Sequence, residues 1–260
     1  MSNAKLAAAF ADGKAFIPFV TCGDPTLETT REVVRACAAA GAKVIELGIP
    51  FSDPTAEGPV IQGANLRALQ GGVDTDQILA LAKELNDELD VAMVFMTYGN
   101  VVYHYGIERF AKNAADAGMC GLILPDVPYE EKDEFAPVFA QYGLDLISMI
   151  APTSEQRIAM IAREAQGFIY LVSSLGVTGT RSEITTDLDS IVAQIREVSD
   201  TPIAIGFGIS DAEAAKTMAA KADGAIVGSA IVKIIAAEGE AAAPKVGAFV
   251  KGCADAVASL

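Results

Sequence analysis

Apolar, β-branched runs alternate with amphipathic segments along the whole chain, and that alternation sets the first expectation. Runs at 15–21, from 44, and at 91–98, 121–126, 144–150, 168–173, 202–208 and 225–227 read as strands. They are nearly continuous in apolar character, which is the mark of strands covered on both faces. Between them lie segments of helical spacing, near 27–40, 59–70, 75–88, 106–117, 130–141, 187–198 and 244–258. Gly41, Gly118 and Gly143 stand where a helix ends on a C′ glycine. Thr153 with Gln156, and Ser210 with Glu213, have the spacing of capping boxes. A short amphipathic helix over 4–11 opens the chain, and a short apolar helix follows Gly228-Ser229. One conflict stands out: Pro18 lies inside the first strand, and proline normally marks an edge.

Eight strand-then-helix units follow one another without a linker or composition break. This predicts a parallel sheet closed into a (β/α)8 TIM barrel with a short N-terminal helix, residues 1–260 forming a single barrel domain. The competing arrangement is an open doubly wound sheet. Against it, the turn Thr21-Cys22-Gly23-Asp24-Pro25 has no G-x-G-x-x-G fingerprint, and Gly206-Phe207-Gly208 is followed by Asp211 where a third glycine belongs.

Composition narrows the function classes. The formal charge of −15 argues against a surface for nucleic acid or an anionic membrane, since both need clustered Lys and Arg. No apolar stretch approaches the ~18 residues needed to span a bilayer, and no signal peptide is evident. The four cysteines, Cys22, Cys37, Cys120 and Cys253, form no C-x-x-C pair, which suits reduced thiols and a cytoplasmic location. Cys22 follows a strand but has no neighbouring His or Lys to activate it as a nucleophile.

In a barrel, chemistry belongs at the C-terminal strand ends. None of the eleven lysines falls there, which argues against a Schiff base, and the single histidine, His104, gives no metal centre. What remains is carboxylate acid–base chemistry. Glu46 sits inside the apolar run Val44-Ile45-Glu46-Leu47-Gly48, where burial raises a carboxyl pKa toward the useful range. Glu57, Asp53 and Asp126 are its candidate helpers. Gly206 to Ser210 and Gly228-Ser229 end the last two strands, with Gly179 in the preceding loop, where barrels often hold a phosphate. Phe19, Met96, Ile123 and Phe207 offer an apolar wall, and the long loop 174–186 reads as a lid.

Taken together, Pro18 to Pro25, Glu46 to Gln62, Pro125 to Pro128, Gly176 to Gly179, Gly206 to Ser210 and Gly224 to Val232 resemble the tryptophan synthase α subunit family. The resemblance implies retro-aldol cleavage of indole-3-glycerol phosphate to indole and glyceraldehyde 3-phosphate, without metal or cofactor in this chain. It makes Glu46 the proton-transferring acid and base and Glu57 the carboxylate that holds the indole N–H. The family's usual residue at the second position is Asp, so Glu57 is a departure, and a carboxylate misplaced by about 1 Å can cost ~10²-fold in rate. Tyr170 and Thr178 match pocket and lid residues; Gly179, Gly208, Gly228 and Ser229 match phosphate ligands. The resemblance also implies a β-subunit partner that carries pyridoxal phosphate, in an α2β2 assembly, with Pro50, Asp53, Asn100 and Pro128 on the contacting loops. The departure at Glu57 leaves two alternatives open: a barrel that binds and activates the partner, or a stand-alone indole-releasing lyase.

Overall fold

The computed structural model describes residues 2–152, 155–173, 187–206 and 208–260. Eight parallel strands close into a barrel in chain order. They are β1 (Ala15–Thr21), β2 (Val44–Gly48), β3 (Ala92–Met96), β4 (Gly121–Ile123), β5 (Asp145–Ile150), β6 (Gln166–Val172), β7 (Ile203–Gly206) and β8 (Gly224–Val227). Pairing of β1 with β8, from Ala15↔Gly224 to Pro18↔Val227, closes the ring and rules out the open sheet.

The helices of the first half are α1 (Ala4–Ala8), which precedes the barrel, and, in the outer layer, α2 (Leu27–Ala39), α3 (Pro59–Gln70), α4 (Thr75–Glu88), α5 (Gly99–Tyr105) and α6 (Ile107–Asp116). The second half is α7 (Ala136–Gln141), α8 (Glu155–Arg163), α9 (Leu188–Arg196), α10 (Ala212–Lys221), α11 (Ser229–Glu238) and α12 (Ala243–Ala258). Among the described residues no helix is long and apolar enough to cross a membrane.

Strand period sorts the side chains into two cores. Ile17, Phe19, Val44, Val94, Met96 and Tyr170 fill the barrel interior. Their alternates Phe16, Val20, Ile45, Leu47, Met93 and Phe95 pack outward against helix residues such as Val33, Ile78, Leu85 and Phe110. The interior is sealed below by α1, whose Leu6 is fully buried within it. The backbone N–H of Asn3 donates to the Asp145 carboxylate at 2.8 Å, and that of Gly167 donates to the Ser2 hydroxyl at 3.0 Å. These contacts fix α1 at the N-terminal ends of β5 and β6.

Several local expectations change. Pro18 is not on an edge: the β1–β8 ladder ends at Pro18, and the β1–β2 ladder begins at Phe19↔Glu46. A residue without an N–H is tolerated where the strand passes from one neighbour to the other. The opening helix stops at Ala8, short of residue 11. The helix expected over 130–141 is a 3-10 segment, Tyr129–Glu134, followed by α7. Pro137 explains the break, because proline fits the first turn of a helix and not its interior. Helix α10 is capped by Asp211, whose carboxylate accepts the Ala214 N–H at 2.9 Å, so Ser210 and Glu213 form no capping box. Helix α5 was not expected. It places His104 on an exposed helical turn, and its first N–H, from Gly99, donates to the Asp126 carboxylate at 2.9 and 3.2 Å. The capping box at Thr153 and the lid over 174–186 lie outside the described residues.

Candidate active site

Strand β2 turns Val44, Glu46 and Gly48 inward, which puts a carboxylate in the barrel interior between Phe19 of β1 and Val94 of β3. Glu46 is 0% exposed. Neither of its carboxylate oxygens has a hydrogen-bond partner among the described residues. Burial alone pushes its pKa up from 4.5 to about 8. A group held this way exchanges protons near neutrality and has both oxygens free for a ligand.

The chain leaves β2 through Pro50 to Gly58 and returns along α3, and this turn carries Glu57 back to the same pocket. Three bonds hold it. Glu57 Oε2 accepts from Asn65 Nδ2 at 2.6 Å, the Glu57 carbonyl accepts from Gln62 Nε2 at 2.7 Å, and the Ala56 N–H donates to the Tyr98 hydroxyl at 3.1 Å. Tyr98 itself packs against Phe51 in a tilted ring contact, with centroids 5.3 Å apart. Burial raises the Glu57 pKa to about 7, opposed by the Asn65 bond.

Phe19, Glu46, Glu57, Ile61, Met96, Tyr170, Gly208, Ile209, Ile226, Gly228 and Ser229 line one pocket. Tyr170 is buried beside Glu46; burial, and then the Glu46 charge, drive its phenol well above the usual value. A Cβ on Gly206 would lie 2.5 Å from the Tyr170 hydroxyl, so glycine there leaves the tyrosine its place. Gly208 has φ +77°, a left-handed conformation that favours glycine. Gly228 precedes α11, whose first N–H groups, beginning at Ser229, have no partners within the helix. An anion is favoured at such an end.

The pocket therefore gathers eight of the residues expected from the sequence: Phe19, Glu46, Glu57, Met96, Tyr170, Gly208, Gly228 and Ser229. Ile123 is buried in the barrel interior but is not part of this lining. Thr178, Gly179 and Phe207 lie outside the described residues. Asp126 caps α5 instead of entering the pocket. The Cys22 thiol, buried and pushed up to about 12, is no nucleophile. Of the expected partner-contacting residues, Asp53, Asn100 and Pro128 are exposed, and Pro50 is buried within the chain. Sequence reasoning missed Ile61 and Asn65. Their signal was present: Ile61, Ala64, Asn65 and Ala68 form the buried i, i+3, i+4, i+7 stripe of α3, and an amide in such a stripe needs a partner.

Comparison with known proteins agrees with this architecture. The family model for the tryptophan synthase alpha chain matches residues 6–258. The tryptophan synthase alpha chain of Lacticaseibacillus casei is 48% identical over 96% of this chain and 94% of its own length. A solved tryptophan synthase structure from Mycobacterium tuberculosis superposes with a TM-score of 0.90 at 32% identity, covering 99% of both chains. A tryptophan synthase complex from Pyrococcus furiosus gives 0.85 at 32% identity, over 93% of this chain and 98% of that one.

Proposed function

Since the chain belongs to the tryptophan synthase alpha chain family, lyases that cleave indole-3-glycerol phosphate in tryptophan biosynthesis, we propose that Glu46 and Glu57 perform that cleavage here. Glu46 in its acid form gives a proton to the indole ring carbon that bears the glycerol chain. Positive charge then develops on the ring nitrogen, and the Glu57 carboxylate accepts the N–H and offsets that charge. Glu46, now a carboxylate, takes the proton of the adjacent glycerol hydroxyl. The oxygen's electrons form the aldehyde carbonyl, the carbon–carbon bond breaks toward the ring, and indole and glyceraldehyde 3-phosphate leave with Glu46 again protonated.

The observation that carries this reading is a buried Glu46 whose two oxygens have no partner among the described residues, in the pocket that also holds Glu57 and the start of α11. Gly208, Gly228 and Ser229 would take the phosphate, joined by Gly179 from the loop 174–186. Phe19, Met96 and Tyr170 would enclose the indole, and the family resemblance adds Ile123, paired with Met96 across β3 and β4, together with Phe207 and Thr178. The chemistry uses carboxylates alone, so this chain needs no cofactor. Residues 1–260 act as one cytoplasmic barrel domain.

The same reading includes a β-subunit partner carrying pyridoxal phosphate, in an α2β2 assembly. The exposed rim residues Asp53, Asn100 and Pro128, with Tyr103 68% exposed on α5, supply its docking face. Indole release from indole-3-glycerol phosphate, assayed with and without a tryptophan synthase β subunit, tests the proposal. Loss of release in Glu46→Gln and stimulation by β are expected. A Glu46→Gln chain that still releases indole overturns it, and one that activates β while the wild type releases no indole supports a binding role instead.

A further inference from the structure

Glu57 enters the pocket from a turn, and turns position side chains less tightly than strands do. Its carboxylate is nevertheless anchored from outside the turn, by the side chain of Asn65 on the second turn of α3. Asn65 is 4% exposed, so its amide has been withdrawn from water, and at 2.6 Å the bond to Glu57 Oε2 is short, as bonds to a charged acceptor are. Among the described residues Oε1 of Glu57 accepts no hydrogen bond, while Glu57 itself lines the pocket. The two oxygens therefore have different surroundings: one is tied to the scaffold and the other is available to a ligand.

We propose that Asn65 is a positioning residue, which fixes the Glu57 carboxylate through Oε2 so that Oε1 faces the substrate's ring N–H. This rests on the reading of Glu57 as the acceptor of that N–H. It also explains how a glutamate serves where a shorter acid is usual, since its extra torsion is held by a partner on a rigid helix. Asn65 donates more strongly to the ionised form than to the neutral acid, so it has a second effect: it favours a charged Glu57 against the burial that favours the neutral acid.

The test uses Asn65→Leu, which keeps the volume and removes the donor, and Asn65→Asp, which keeps the shape and adds a like charge. The full chain is read in two ways: by kcat and KM for indole release, and by infrared titration of the Glu57 carboxyl, assigned as the band lost in Glu57→Gln. Expected are a rise of the Glu57 midpoint by about one pH unit in Asn65→Leu and more in Asn65→Asp. With it comes a fall in kcat of roughly 10-fold or more and a smaller change in KM. If either variant fails to fold, the other supplies both readouts. An unmoved midpoint beside an inactive Glu57→Gln overturns the role of Asn65 alone. Full activity in Glu57→Gln overturns the reading of Glu57, and a catalytic role for Asn65 with it.

Discussion

Asp24 and Arg67 meet in a two-pronged ion pair: Arg67 Nε donates to Oδ1 at 2.7 Å, and an outer guanidinium nitrogen donates to Oδ2 at 2.8 Å. The pair ties the turn after β1 to the far half of α3, the helix that anchors Glu57. Asp24 is 1% exposed, whereas the Arg67 side chain is 38% exposed, so the two partners are not equivalent. Removing the arginine strands a buried carboxylate. Arg67→Leu is expected to destabilise by about 2–3 kcal/mol, below the range for fully buried pairs because the guanidinium is partly in water. Urea unfolding measures this, and an unchanged midpoint sinks it.

Glu46→Gln should lower indole release by about 10²–10⁴-fold, the usual worth of a general acid–base group. It should also alter how stability depends on pH. The Glu46 pKa is raised on folding from 4.5 to about 8, so over that window the folded chain binds more protons than the unfolded one. Wild-type stability therefore falls as pH climbs between those values, and the variant lacks this part of the fall. Parallel urea curves for the two proteins at pH 5 and pH 8.5 would contradict the assignment.

The rate should be bell-shaped in pH. Glu57 must be ionised to receive the ring N–H and titrates near 7, so kcat/KM rises through about that value. Glu46 must be protonated to begin and titrates near 8, so kcat/KM falls above it. The optimum lies between the two. An acidic limb near pH 4.5 would mean that burial does not govern these groups in the working enzyme.

Glu57→Asp is expected to lower kcat, by about 10-fold or more, despite moving toward the family's usual residue. A carboxylate one methylene shorter retreats from the 2.6 Å bond to Asn65 and from the pocket together. Steady-state kinetics decide this, and a gain in kcat would identify the glutamate as a handicap.

Gly48 faces inward two residues after Glu46, and a Cβ there would lie 2.6 Å from Cζ of Phe19. Gly48→Ala should push the Phe19 ring into the pocket and raise KM several-fold while leaving the fold intact, by circular dichroism. An unaltered KM would show that Phe19 is not part of the indole wall.

Much of this was legible in the sequence because the physics was local. Strands covered on both faces read as unbroken apolar runs, and a carboxylate within one, Glu46, has no bland explanation once the run is interior. Tyr170 and the glycine pairs were placed by their positions at strand ends. Asn65 and Ile61 were not, because which face of α3 meets the pocket is fixed by how that helix docks, partly through Arg67. The start of α10 was misplaced by one residue since Ser210 and Asp211 are comparably good caps, and where β7 ends decides between them. Pro18 was a true conflict, resolved only by seeing the strand change partners at that point.

The pairing of β1 with β8 has a consequence for the making of the protein. Phe19 comes from the first strand and Ser229 from just after the last, yet they border the same pocket. A nascent chain released before its final strand lacks Gly228 and Ser229 and so holds only part of the site. Indole release thus doubles as a reporter of completed assembly, and its recovery during refolding should follow the joining of the first strand to the last instead of the earlier gain of helix.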